Sequence, residues 1–107
     1  MRVWQCEHVH PAAPSTYDDA AELLKALAHP LRLLLIHELA DGPRCVHELV
    51  TTSGAAQPLV SQHLKVLRGA RVVTSRRRAR EVVYALADEH VIHIAADAVR
   101  HSQEEHP

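Results

Sequence analysis

The chain has 107 residues, one domain's worth, and is 47% hydrophobic with one Trp, two Tyr and no Phe, so its core must be aliphatic. No apolar run approaches the roughly 18 residues of a membrane span, and MRVWQCEHVHPAAPS lacks the apolar stretch of a secretory signal, so a cytoplasmic protein is expected. The net charge of −1 conceals a basic block: residues 44 to 80 carry Arg44, Lys65, Arg68, Arg71, Arg76, Arg77, Arg78 and Arg80 against Glu48 alone, the footprint of a phosphate-binding face.

Residues 1 to 14, with Pro11 and Pro14 and no periodicity, read as a mobile N-terminal arm. Residues 15 to 107 read as one domain. Ser15 and Thr16, followed three residues on by Asp18 and Asp19, predict a side-chain-capped helix start. Leu24, Leu27 and Ala28 supply the apolar stripe of that first helix. Pro30 opens a second helix, LRLLLIHELA, apolar nearly all round and therefore central, which Gly42-Pro43 stops. Val46, Leu49 and Val50 share one face of a short third helix, and TTSG reads as the turn after it.

A fourth helix is predicted over about Gln57 to Arg68. At 100° per residue, Val60, Leu64 and Leu67 fall on one side of it. Gln57, Ser61, Gln62, Lys65 and Arg68 fall on the other, while His63 lies nearer the apolar side and reads as a semi-buried structural histidine. Helix, Gly-containing turn and polar-faced helix make a helix-turn-helix. After Gly69 the period becomes 2: VVTS and EVVYAL are strands, and RRRAR between them is the basic tip of a hairpin wing. The expected architecture is mainly α with a β-hairpin, a winged helix-turn-helix. Gln57, Ser61 and Gln62 would read base edges in double-stranded DNA, Lys65 and Arg68 would set register, and Arg76, Arg77, Arg78 and Arg80 would neutralise phosphate. A winged helix used only for protein contact is the alternative, which the basic block disfavours.

The last segment, from Asp88 to about Glu105, is helical again. Ten His in the chain is an anomaly, and several gather here. Stepping from His90, the residues His93, Asp97, His101 and Glu104 all fall within a narrow stripe. Asp88 and His90 form one cluster, and His101 and Glu104 another. Eleven residues separate the two histidines, about 16 Å at the helical rise, so one ion cannot be held by both ends of one chain. An antiparallel second copy, with Ala95 and Ala96 near a two-fold axis, places Asp88 and His90 of one protomer beside His101 and Glu104 of its partner, twice over. Two imidazoles and two carboxylates suit Zn²⁺, with Co²⁺, Cd²⁺ and Ni²⁺ as alternatives. The last helix is then also the dimerisation helix of a homodimer.

ALAHPLRLLLIHEL, RCVHELV, QPLVSQHLKVLRGARVV and REVVYALADEHV together resemble the ArsR/SmtB family of metal-responsive repressors, over about residues 18 to 105. The spacing Asp-x-His, ten residues, His-x-x-Glu is similar to that of the family's zinc sensors. The resemblance implies a dimer that represses an operon for metal efflux or sequestration and leaves operator DNA when zinc binds. Cys45-Val46-His47 stands where the family's toxic-metal sensors carry Cys-Val-Cys. With Cys6, His8 and His10 of the arm it makes a second candidate metal site, suited to softer ions such as Cd²⁺ or Pb²⁺. Two features weigh against that site. His47 replaces a Cys, and residues two apart do not share a helix face, so Cys45 also reads as a small buried hydrophobe. The remaining His29, His37 and His106 read as structural or solvated.

Three functions compete on these residues: a zinc-released repressor, a thiol sensor of soft metal or arsenite using Cys45 and Cys6, and a small metal hydrolase. Four protein ligands close a zinc shell that catalysis needs open, and no nucleophile motif accompanies them. No enzyme activity, membrane partner or small organic substrate is expected.

Overall fold

The computed structural model describes residues 13 to 104. Cys6, His8, His10 and His106 therefore lie outside the described residues. Five helices and three short strands follow in the order α1 (Pro14–Leu27), α2 (Pro30–Leu39), β1 (Arg44–Cys45), α3 (Val46–Ser53), α4 (Gln57–Gly69), β2 (Val73–Arg78), β3 (Glu81–Leu86) and α5 (Glu89–Gln103).

Local chemistry sets most of the boundaries. Pro14 takes the first position of α1, where its fixed φ is already helical and its missing N–H is no loss. The expected cap by Ser15 or Thr16 is thus corrected: both lie inside the helix, and Ala13 precedes it without a side-chain cap. Pro30 opens α2 in the same way, and here the cap is His29, whose Nδ1 accepts the Leu31 N–H at 3.1 Å. The stretch TTSG is corrected as well. Its first three residues complete α3, and only Gly54 turns, at φ 71° in the left-handed region that glycine adopts without steric cost.

Beyond α4 the chain closes a Schellman turn. Val72 N–H reaches Leu67 O at 2.9 Å and Arg71 N–H reaches Arg68 O at 3.0 Å, with Arg71 itself at φ 62°. The hairpin then pairs β2 with β3 from Val73↔Leu86 to Arg78↔Glu81. That register makes Ala79 and Arg80 the two-residue tip, with Ala79 at φ 57°. The expectation of an RRRAR tip is corrected accordingly: Arg76, Arg77 and Arg78 are strand residues. A run of like side chains carries no period-2 signal by which to place a strand end.

β1 is too short to carry a periodic signal in the sequence. Its two residues pair with the far side of β3, Arg44↔Tyr84 and Cys45↔Val83, giving the sheet order β1-β3-β2. The core is aliphatic, as the composition requires: Leu27, Leu35, Ile36, Leu39, Leu49, Val60, Leu64, Leu67, Val72, Val73, Val91 and Ala95 form one cluster. α2 lies at its centre, packed against α3, α4, α5 and β3. No helix among the described residues is long and apolar enough to cross a membrane.

Candidate functional site

The helix-turn-helix is α3 and α4. Val60, Leu64 and Leu67 on α4 are fully buried and fix the helix's rotation, so Gln57, Gln62, Lys65 and Arg68 face solvent together. Ser61 is only half-buried and sits at the edge of that face rather than on it. Leu59 is 44% exposed in the first turn of α4, three residues from Gln62, and was not singled out by periodicity. Arg68 leans on the wing, donating from Nη1 to Ser75 Oγ at 3.1 Å.

Arg76, Arg77, Arg78 and Arg80 are all exposed. Strand alternation divides them. Arg77 shares a sheet face with Val73 and Ser75, the side on which α4 packs, while Arg76 and Arg78 project from the other face.

His63 is buried at 7% exposure, in keeping with its structural reading. Arg32 on α2 donates from Nε to His63 Nδ1 at 2.9 Å and from Nη1 to Ala26 O at the end of α1 at 3.0 Å. The His29 ring lies 4.3 Å from that of His63. Burial, then His29 and Arg32, hold the His63 pKa below its ordinary 6.5.

The residues of the last-helix site occupy the two ends of α5. Asp88 is the N-cap, its Oδ1 accepting the N–H groups of His90 at 2.9 Å and Val91 at 3.3 Å. His90 Nδ1 lies 3.5 Å from the same oxygen, and its side chain is 89% exposed. His101 falls in the last turn. Glu104 is the C-cap, its N–H donating to His101 O at 3.3 Å. A carboxylate therefore stands just outside each end of α5, with a histidine just inside it. The structure brings Asp88 to His90, and by backbone Glu104 to His101, but not one pair to the other. One correction concerns the centre of this helix. Ala95 is 7% exposed and belongs to the chain's own core, so of the two alanines only Ala96 faces out.

Among the described residues, a convergent donor set lies elsewhere. Cys45 precedes α3 in extended conformation (φ −81°, ψ 163°), so the helix-face argument against it does not apply. Its Sγ lies 3.3 Å from His47 Nδ1. The same thiol donates to Glu48 Oε1 at 3.0 Å, and the Cys45 N–H donates to that oxygen at 3.1 Å. The S–H bond to Glu48, with burial next, raises the Cys45 pKa; the same bond, with the backbone one next, lowers that of Glu48. Glu81 Oε1, at the start of β3, lies 3.6 Å from His47 Nδ1. One donor atom each from Cys45, His47 and Glu81 fall within 4.8 Å of one another. Glu81 was missed by sequence reasoning because only the three-strand register carries it to Cys45.

Residues 29–75 match the bacterial regulatory protein, arsR family. The chain is 53% identical over 97 residues to the HTH-type transcriptional repressor SmtB of Mycobacterium tuberculosis (strain H37Rv), covering 89% of this chain and 72% of that one. The chain belongs to the ArsR/SmtB family of metal-responsive transcriptional repressors. Solved structures of this family's fold agree. The transcriptional repressor BigR from Xylella fastidiosa superposes with a TM-score of 0.75 at 33% identity, over 86% of this chain and 93% of that one. A homodimeric winged helix-turn-helix domain from Mycobacterium bovis, a possible ArsR-family regulator, gives 0.76 at 28% identity over 94% and 96%. As an ArsR/SmtB protein, the chain is a DNA-binding repressor and not an enzyme.

Proposed function

We propose that this repressor works as a cytoplasmic homodimer that holds operator DNA with α4 and the wing, and that Zn²⁺ bound between the two α5 helices releases it. Asp88 and His90 would meet the partner's His101 and the partner's Glu104 in each of two symmetric sites. The observation that carries this reading is the placement of one carboxylate and one histidine at each end of α5, too far apart to serve one ion within one chain. Tyr17 and Leu24 on α1 and Val99 on α5 are each exposed apolar side chains of the kind a second copy would cover.

The donor set fits the ion. Asp88 uses Oδ1 for the cap, which leaves Oδ2 as a ligand, and two imidazoles with two carboxylates satisfy four-coordinate zinc. Zinc supplies a fixed cross-link between protomers. The chain's own residues transmit it: α5 packs on α2, α2 packs on α4, and the spacing of two α4 helices decides whether both enter the major groove. Coupling must be reciprocal, so operator DNA weakens zinc binding by the factor by which zinc weakens DNA binding.

His101→Ala tests the reading. Operator binding by the metal-free protein should persist and its zinc response vanish; a retained response sinks the proposal. The competing thiol sensor through Cys45 and Cys6 draws less support, because the Cys45 thiol is buried and its bond to Glu48 Oε1 raises its pKa, where a reactive sulfur needs it lowered.

A further inference from the structure

We infer that Leu59 is a base-reading residue of this repressor, an apolar contact for the 5-methyl group of one thymine in each operator half-site. The inference rests on the proposed seating of α4 in the major groove, and adds to it a base that this helix selects.

The side chain is exposed and its backbone is held. Leu59 is 44% exposed, while its neighbour Val60 is fully buried. The rotation that buries Val60, Leu64 and Leu67 keeps Leu59 at the flank of the helix. Pro58 stands in the first turn with its φ fixed by the ring. Ala56 O accepts the N–H groups of both Leu59, at 3.1 Å, and Val60, at 3.0 Å. What α4 presents here is a positioned isobutyl group.

Two neighbours on the same side define its role. Gln62 lies one turn on, about 60° round the helix toward solvent, and Val66 two turns on, within about 20°. Val66 borders the cleft against α1 together with Leu23 and Ala26, so its exposed surface has apolar neighbours in the chain itself. Leu59 stands nearly two turns earlier, at the N-terminal end of α4, which is the end a helix-turn-helix directs at base edges.

The groove supplies the matching chemistry. Major-groove base edges present hydrogen-bonding groups and one apolar group, the thymine 5-methyl. Contact removes leucine and methyl from water together, and it separates T·A from C·G, where cytosine has no methyl and offers an amine. Gln62 has the amide that pairs bidentately with adenine. Side chains three residues apart on a helix have Cβ atoms about 5–6 Å apart, and successive bases rise about 3.4 Å. The thymine should therefore lie within about two base pairs of the position read by Gln62.

The test uses metal-free full-length protein to select its site from a random duplex library. Each thymine of the selected duplex is then replaced by deoxyuridine, which removes the 5-methyl group alone. For the parent protein, one such replacement in each half-site should weaken binding about fourfold, the worth of one buried hydrocarbon group. Leu59→Ala, a change at an exposed side chain outside the core, should bind the thymine and uracil duplexes equally there. A Leu59→Ala protein as sensitive as the parent at every thymine, or a parent indifferent to all the replacements, overturns the inference. Gln62→Ala separates that failure from failure of the α4 reading. Relaxed preference with Gln62→Ala but unchanged thymine sensitivity with Leu59→Ala removes the thymine contact alone. If neither substitution alters any base preference, α4 is not the reading helix and both fall.

Discussion

Arg32 Nε donates to His63 Nδ1 at 2.9 Å, joining the central helix to the buried side of the reading helix. The same guanidinium holds Ala26 O at the end of α1. Three helices thus meet on one side chain, and the rotation of α4 depends on it as well as on Val60, Leu64 and Leu67.

Arg32→Lys should therefore destabilise the fold despite keeping the charge. A single ammonium cannot reproduce two directed bonds from a planar fork, and a buried imidazole nitrogen left without its donor costs about 1–3 kcal/mol. Urea denaturation reads this directly; an unchanged midpoint contradicts the role assigned to Arg32.

Acid should weaken the fold through His63. Its folded pKa lies below the ordinary 6.5, so below that pH the unfolded chain takes a proton that the folded chain refuses. The contribution is fully present above about pH 6.5 and is lost as pH falls through the depressed folded value. His63→Gln keeps an acceptor for Arg32 and removes the titration. Its stability should fall less steeply than the parent's between about pH 7.5 and 5.5, the other histidines being common to both. Parallel slopes would show that His63 is not the group responsible.

Much of this was legible in the chain. Val60, Leu64 and Leu67 recur at helical spacing, so the outward side of α4 followed from the inward one, and His63 fell near the apolar side where the structure buries it. What failed to show lacked a periodic signal. Three consecutive arginines mark no strand end, β1 has only two residues, and Ala95 could not be told from Ala96 without the rotation of α5 against the core. Helix geometry argues against pairing Cys45 with His47 only if both lie on the helix, and Cys45 precedes it. Glu81 required the register of a strand pairing that the sequence does not announce.

The wing should contribute through phosphate. Replacing Arg77 and Arg78 together with Ala, one from each face of β2, should weaken binding to all DNA sequences. It should also make the dependence of log affinity on log salt shallower by about 0.9 per lost contact. Fluorescence anisotropy across a salt series gives the slope, and an unaltered slope means that neither arginine touches the backbone.

Gln62 should behave differently. It is exposed on the outward side of α4, and Gln62→Ala should relax discrimination at one operator position by about 1–3 kcal/mol while sparing the salt slope. Competition with singly substituted operators distinguishes this from uniform weakening, which would mean that Gln62 reads no base.

The proposed release by zinc requires two α5 helices to share their ligands in antiparallel fashion. A mixed dimer tests it most directly, with Cys45→Ser in both subunits, His90→Ala in one and His101→Ala in the other. Both lesions then fall in the same cross-subunit site, so zinc titration should find one intact high-affinity site per dimer. A mixed dimer with no high-affinity zinc would place each site within a single subunit and rule out ligand sharing between the helices.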